Sequence, residues 1–300
     1  MAHIIKLLVF HDERMIPGWL YHSFVLCQPD FAASLQSELL SAKNRAGCSR
    51  HKRIHFSSLR SDSRSSKTRT AVMWAQLLVN KLYKDIHFYF FGLNKRNLDY
   101  EFFGPSSDGR ARDYRIFNTF FQMGLFSACR YFFNGGEEVE ILNIFSEERS
   151  LSTDDPFLIH APYKINKRES NVSVKSQQVI QVAGDFSREK NYPEYVDILN
   201  FVDVIMGGCS QAIDCTGNAK GCIEVAENLF SLCQRLSENP YNVNSRYYKR
   251  CAVSFFPKYR QSKSETIKYG VRPPENLFYT KRTLRLYQRC FAGFQQLVDW

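Results

Sequence analysis

The sequence predicts an α/β fold: a mixed sheet flanked by helices, with a basic C-terminal extension. Three observations carry that expectation. Apolar runs at 4–11 and 19–27 are separated by Met15-Ile16-Pro17-Gly18, which reads as the turn of a two-stranded hairpin. From Pro29 onward helical and strand patterns alternate, as they do where helices cover a sheet. A chain of 300 residues, 44% hydrophobic and 15% aromatic, can also bury a large core.

The elements follow in order. Pro29 opens a helix over 30–43, and 53–57 reads as a third strand. The Ser/Arg-rich stretch 57–69 is a loop that runs into a helix over 71–83. Aromatic residues 86–93 form the next strand, 103–109 a loop, and 114–132 a helix that Gly135-Gly136 terminates. A strand over 139–145 follows. Residues 151–175 read as helix or loop around Pro156 and Pro162, and 179–182 as another short strand. Helices are expected over 195–213 and 223–236. Pro240, Pro257 and Pro273-Pro274 break up the tail before a last helix over 280–297. The division is therefore an α/β domain over 1–240 and a basic, aromatic-rich extension over 241–300.

Formal net charge is +10, which favours polyanionic partners. The cations concentrate in two segments. Between Lys43 and Arg69 nine of them, Arg53 and Arg60 included, face the single acid Asp62. Between Arg246 and Arg289, cations such as Lys258 and Arg282 interleave with aromatics and face only Glu265 and Glu275. Cations hold phosphates and rings stack on unpaired bases, so both segments suit nucleic acid, with Arg53, Arg60, Lys258 and Arg282 as backbone contacts. The alternative for either segment alone is a solvated basic face.

Several classes are disfavoured. The nine cysteines are odd in number and scattered, and no basic region followed by an apolar core opens the chain, so a reduced, cytoplasmic protein is expected. No apolar stretch reads as the roughly 20 residues of a membrane span. Cys209, Cys215, Cys222 and Cys233 lack zinc-ligand spacing and read as small buried residues. The glycine loops of nucleotide-binding proteins and the Gly-x-Ser-x-Gly of hydrolases are absent.

Two carboxylates are out of place. Asp12-Glu13 ends the apolar run Leu7-Leu8-Val9-Phe10, and a carboxylate at the mouth of a buried strand is costly unless a cation meets it. Strand alternation puts Asp12 with Leu8 and Phe10, and Glu13 with Val9 and His11. Asp12 is therefore preferred, with Glu13 a second catalytic ligand if the chain bends. The alternative is that Asp12 caps the following turn. Asp203 interrupts the apolar helical stretch 198–206 and shares a face with Leu199, Val202 and Met206; the alternative is a helix-start Asp. Gly207-Gly208 just afterwards lets another backbone approach closely. Glu147, with Glu148, follows one strand and Asp185 another, so Glu147 or Asp185 completes a set at the carboxyl edge of the sheet. Carboxylates from distant positions suit Mg²⁺ or Mn²⁺, which take oxygen ligands and activate water against phosphodiesters.

The order of these motifs resembles the domain-of-unknown-function family numbered 3800. Its members open with an apolar strand ending in Asp-Glu, matched here by Val9-Phe10-His11-Asp12-Glu13, although Arg14-Met15 stands where Ser-Gly is usual. The segments Arg53 to Arg60 and Ile86 to Leu98 resemble the family's next strands. Asn200-Phe201-Val202-Asp203 through Gly207-Gly208 resembles its late helix, with Asn for Gln. The likeness spans roughly residues 4–215. It implies a ribonuclease-H-like sheet and metal-dependent nuclease activity, with Asp12 and Asp203 as the first-strand and late-helix acids.

The expected function is hydrolysis of DNA or RNA by a Mg²⁺- or Mn²⁺-dependent nuclease, with no membrane partner. The alternative is a non-catalytic module that binds nucleic acid or a protein on the same scaffold.

Overall fold

A computed structural model describes residues 4–59, 64–133, 136–148, 156–168, 171–214, 219–238 and 243–256. Within them lie a mixed seven-stranded sheet and six α-helices. Strand β1 (Ile4–Ile16) folds back through Pro17-Gly18 into β2 (Trp19–Cys27). Gly18 has φ +82°, a left-handed turn conformation that a glycine adopts without steric cost. Helices α1 (Pro29–Arg45) and α2 (Ser66–Asn80) lead to β3 (His87–Asn94). Next come α3 (Gly109–Phe132), β4 (Glu138–Glu147) and α4 (Pro156–Asn166). The short strands β5 (Val172–Val174) and β6 (Ile180–Val182) precede α5 (Val196–Asp214), α6 (Lys220–Glu238) and β7 (Cys251–Phe256).

The strand order is β5-β4-β1-β2-β3-β7, with β6 also on β4. β2 runs antiparallel to β1 and β3, while β4 lies parallel to β1. β5 pairs with Val139–Ile141 and β6 with Phe145–Glu147, so the two share one edge of β4 in tandem. At the far edge β7 runs parallel to β3. The segment 241–300, expected as an extension, thus contributes a strand to the same sheet. The expected helix 280–297 lies outside the described residues.

Strand alternation builds two cores. Leu8, Phe10, Tyr21, Val25, Phe88 and Phe145 face α1, α2, α5 and α6. Leu7, Val9, Phe24, Leu26, Tyr89 and Ile141 face α3 and α4. Both faces being covered explains why these strands read as continuous apolar runs rather than as an alternating pattern. The stretch Pro193–Ile213 is apolar and long enough to cross a membrane, yet its side chains from Val196 to Ile213 are all buried between the sheet and its helical neighbours.

Two local expectations are corrected. Residues 53–57 form no strand; the chain there is irregular and closes into a 3₁₀ turn over Phe56–Ser58. The reason is visible at Phe56, whose N–H donates to the Asp203 carboxylate rather than to a neighbouring strand. Lys43, counted among the cations suited to nucleic acid, is completely buried. Its Nζ donates to Asp197 Oδ1 at 2.8 Å and to the Arg50 carbonyl at 2.7 Å, tying α1 to the start of α5.

Candidate functional site

Three acids meet on the α5 side of the sheet. Parallel pairing sets Phe10 opposite Phe145 and His11 opposite Ser146. The Phe10 and Phe145 rings stack at 5.3 Å, so the residues two further along each strand, Asp12 and Glu147, point to that same face. Asp203 comes from the middle of α5, not from its start, and packs onto the same corner. Asp12 and Asp203 are only 6% and 4% exposed. Burial raises the Asp12 pKa well above the ordinary carboxylate range, and the negative charges of Asp203, Glu13 and Glu147 push it in the same direction. Burial also raises Glu147. Arg53 opposes that shift, Asp203 adds to it, and burial wins.

Each acid is held. Asp12 Oδ1 accepts the Glu13 N–H at 2.8 Å, and Asp203 Oδ2 accepts the Phe56 N–H at 2.6 Å. Glu147 forms a salt bridge with Arg53. Gly184 closes over that pair, where a Cβ would collide with the Glu147 carboxylate and lie 2.9 Å from Arg53 Nη2. Gly207, one turn after Asp203, does the same for Phe56: a Cβ there would overlap the ring and approach Phe56 Cβ to 2.7 Å. The close approach expected at Gly207-Gly208 therefore serves the Phe56 turn on one side. On the other it serves α6, since a Cβ at Gly208 would lie 2.6 Å from Leu229 Cδ1.

Sequence reasoning passed over three groups at this corner. His55 Nε2 lies 3.7 Å from Asp203 Oδ1. Its Nδ1 accepts the Ser57 N–H at 3.2 Å, which assigns the ring proton to Nε2, facing the acid. Arg14 sits two residues beyond Asp12 on the same face, its guanidinium 4.9 Å from the Phe56 ring centroid. The Cys222 thiol donates to the Phe56 and Leu59 carbonyls; burial lifts its pKa to about 11, with Arg14 lowering and Asp203 raising it. No local pattern marks His55 or Arg14; the packing of the Phe56 turn against α5 brings them to this corner.

The other expected site residues fall elsewhere. β1 remains paired with β2 through Ile16, so the bend that would turn Glu13 inward does not occur, and Glu13 pairs opposite His22 on the other face. Asp185 is half-buried and its carboxylate accepts the Ser187 N–H and hydroxyl, which together with Arg53 and Arg188 hold its pKa low. It makes a turn rather than joining the acids. Glu148 pairs with Arg188 at the surface. Arg53 binds Glu147 instead of standing free for phosphate. Arg60, Lys258 and Arg282 lie outside the described residues.

Among the described residues, no group of three or more His, Cys, Asp or Glu side chains is arranged to hold a metal ion. In kind, Asp12 and Asp203 nevertheless suit Mg²⁺ or Mn²⁺. Both are oxygen donors, both are buried, and these ions need only one or two carboxylates beside water and substrate. The cysteines are unsuited to such a role: Cys27, Cys48, Cys129, Cys209, Cys222, Cys233 and Cys251 are all buried in the core, away from the acids except for Cys222, and Cys209 lies against Cys233. No family model, curated protein or solved structure matches the chain.

Proposed function

We propose that this chain is a divalent-metal-dependent nuclease on a ribonuclease-H-like scaffold, related to family 3800 and cleaving phosphodiesters of DNA or RNA. The observation that carries the reading is the meeting of Asp12, Glu147 and Asp203 from β1, β4 and α5 in one buried corner. Gathering like charges out of water opposes folding unless a cation is shared there. Support also comes from the sheet, which is mixed and covered by helices on both faces, as the resemblance implies. The acids of β1 and β4 lie near the carboxyl ends of their parallel pairing, where α/β sheets present ligands.

In this reading Asp12 and Asp203 would hold the ion, with Glu147, paired to Arg53, as the third acid at the same corner. A bound Mg²⁺ or Mn²⁺ supplies Lewis acidity and an activated water for attack on phosphorus. His55, with its Nε2–H facing Asp203, is placed to donate a hydrogen bond to a carboxylate or phosphate oxygen at the same corner. A cytoplasmic setting fits the reduced thiols.

The test is cleavage of end-labelled DNA and RNA with Mg²⁺, Mn²⁺ or EDTA. Asp203→Asn is expected to keep the fold and nucleic-acid binding while lowering metal-stimulated cleavage by at least about 100-fold, as loss of a residue acting on the transition state does. Cleavage by Asp203→Asn at the wild-type rate refutes the reading. One observation favours the second reading, a non-catalytic binding module: Glu147 is already neutralised by Arg53. Salt-sensitive binding with no cleavage in any metal would establish it.

A further inference from the structure

We propose that Arg14 is a substrate-binding residue that grips a non-bridging oxygen of the phosphodiester held at the Asp12–Asp203 corner. The proposal rests on the nuclease reading and adds to it a named contact for the substrate. Alternation along β1 carries Phe10, Asp12 and Arg14 to one face, so the Arg14 side chain leaves the sheet on the side that carries Asp12. Its plane is held against Phe56, 4.9 Å from the ring centroid, and Phe56 in turn clamps Asp203 through its N–H. The cation and the acid are thereby fixed to one another through a single aromatic residue. Cys222 feels Arg14 and Asp203 in opposite senses, which places both beside the same thiol.

What points to an anion is how Arg14 is left. Its side chain is half-buried, its Nε is buried without a hydrogen-bond partner, and among the described residues no hydrogen bond or ion pair reaches the guanidinium. A desolvated guanidinium donor without an acceptor is costly. Arg53 makes the contrast, since it pairs with Glu147. A tetrahedral phosphate offers the planar, forked acceptors that a guanidinium matches best. One oxygen of such a phosphate would lie towards the acids and their ion, and a second towards Arg14. Arg14 stands where the resembled family usually has Ser, so this contact would be a property of this chain.

The experiment uses the full chain and 5′-fluorescein-labelled 12-nucleotide DNA and RNA. Binding is followed by anisotropy in EDTA across a salt series, and cleavage is followed in Mn²⁺. Arg14→Gln is expected to lower the slope of log affinity against log salt by about one, the mark of one lost phosphate contact. Its kcat/KM should fall about tenfold or more, as expected for a charge-assisted contact. Arg14→Lys, which keeps the charge and a contact with Phe56, should recover part of both and stands in if the Gln variant does not fold. Lys81→Gln, a surface cation paired with Glu38, controls for net charge and should change neither. If the wild-type chain binds but never cleaves, the nuclease reading fails while a reduced salt slope in Arg14→Gln still upholds the phosphate contact. An unchanged slope in Arg14→Gln, or an unchanged kcat/KM in Arg14→Lys where the Gln variant does not fold, overturns the contact.

Discussion

At the residue scale, Asp12 opposes the fold that contains it. Its pKa is raised by burial and by neighbouring carboxylates, so the ionised form is disfavoured in the folded chain. The folded value lies above the unfolded value of about 3.9. Asp12 therefore opposes folding least below the unfolded value, and stability is lost as pH rises through the folded one. Asp12→Asn should accordingly raise the urea midpoint in EDTA, with a gain that grows from pH 4 towards neutrality. Mn²⁺ should stabilise the wild type and leave the variant unmoved. A variant less stable than wild type at pH 7 in EDTA would contradict this account. The two acids themselves were legible in the sequence, because a carboxylate that breaks an apolar pattern of period 2 or 3.6 has nowhere neutral to go. Their companions were not. His55, Arg14 and Phe56 carry no pattern of their own, and only the packing of one turn against α5 brings them to the acids.

At the element scale, the most consequential piece is the irregular segment around Phe56. Arg53 to Ser57 alternates polar and apolar residues, which reads as a strand, and Ile54 and Phe56 are indeed buried. The backbone does not pair because Asp203 takes the Phe56 N–H, and the 3₁₀ turn follows. Local sequence records which side chains go inside; it cannot record a hydrogen bond to a residue 147 positions away. Gly207 makes that contact achievable by omitting a Cβ against the Phe56 ring. Gly207→Ala should therefore destabilise the chain by about 1–3 kcal/mol through overpacking, measured as a lower urea midpoint. It should also impair any activity of the corner more than the stability loss explains, because Phe56 is displaced from Asp203. Equal midpoints for Gly207→Ala and wild type would show that the ring can give way freely. The helices α5 and α6 were read correctly in position, since their apolar stripes are long and regular.

At the scale of the whole molecule, β3, α3 and β7 are stitched together at His87. Its Nδ1 donates to the Lys249 carbonyl at 2.9 Å, and its ring packs on Phe132 and Phe133 at 4.8 Å. Burial and then the Arg250 charge lower its pKa to about 4. The unfolded value is about 6.5, so the unfolded chain takes up a proton first as pH falls. The stability that neutral His87 secures is present above pH 6.5 and is lost between there and pH 4, about 3 kcal/mol in all. His87→Gln should lose less stability than wild type between pH 7.5 and pH 4.5 in urea titrations. Parallel pH profiles for the two would refute the assignment.

The division of labour between sequence and tertiary structure follows from range. The sequence by itself determined the α/β class, the hairpin, the long helices, the twofold-covered strands and the two misplaced acids, because each is a matter of local periodicity or of charge within an apolar run. Tertiary structure alone decided that β7 closes the sheet beside β3, that Lys43 is buried against Asp197, and that Glu147 rather than Asp185 or Glu13 joins Asp12 and Asp203. Those outcomes depend on strand register and on packing between residues far apart in the chain. The parallel pairing of β1 with β4 sets Asp12 beside Glu147, and nothing in the intervening sequence encodes that register.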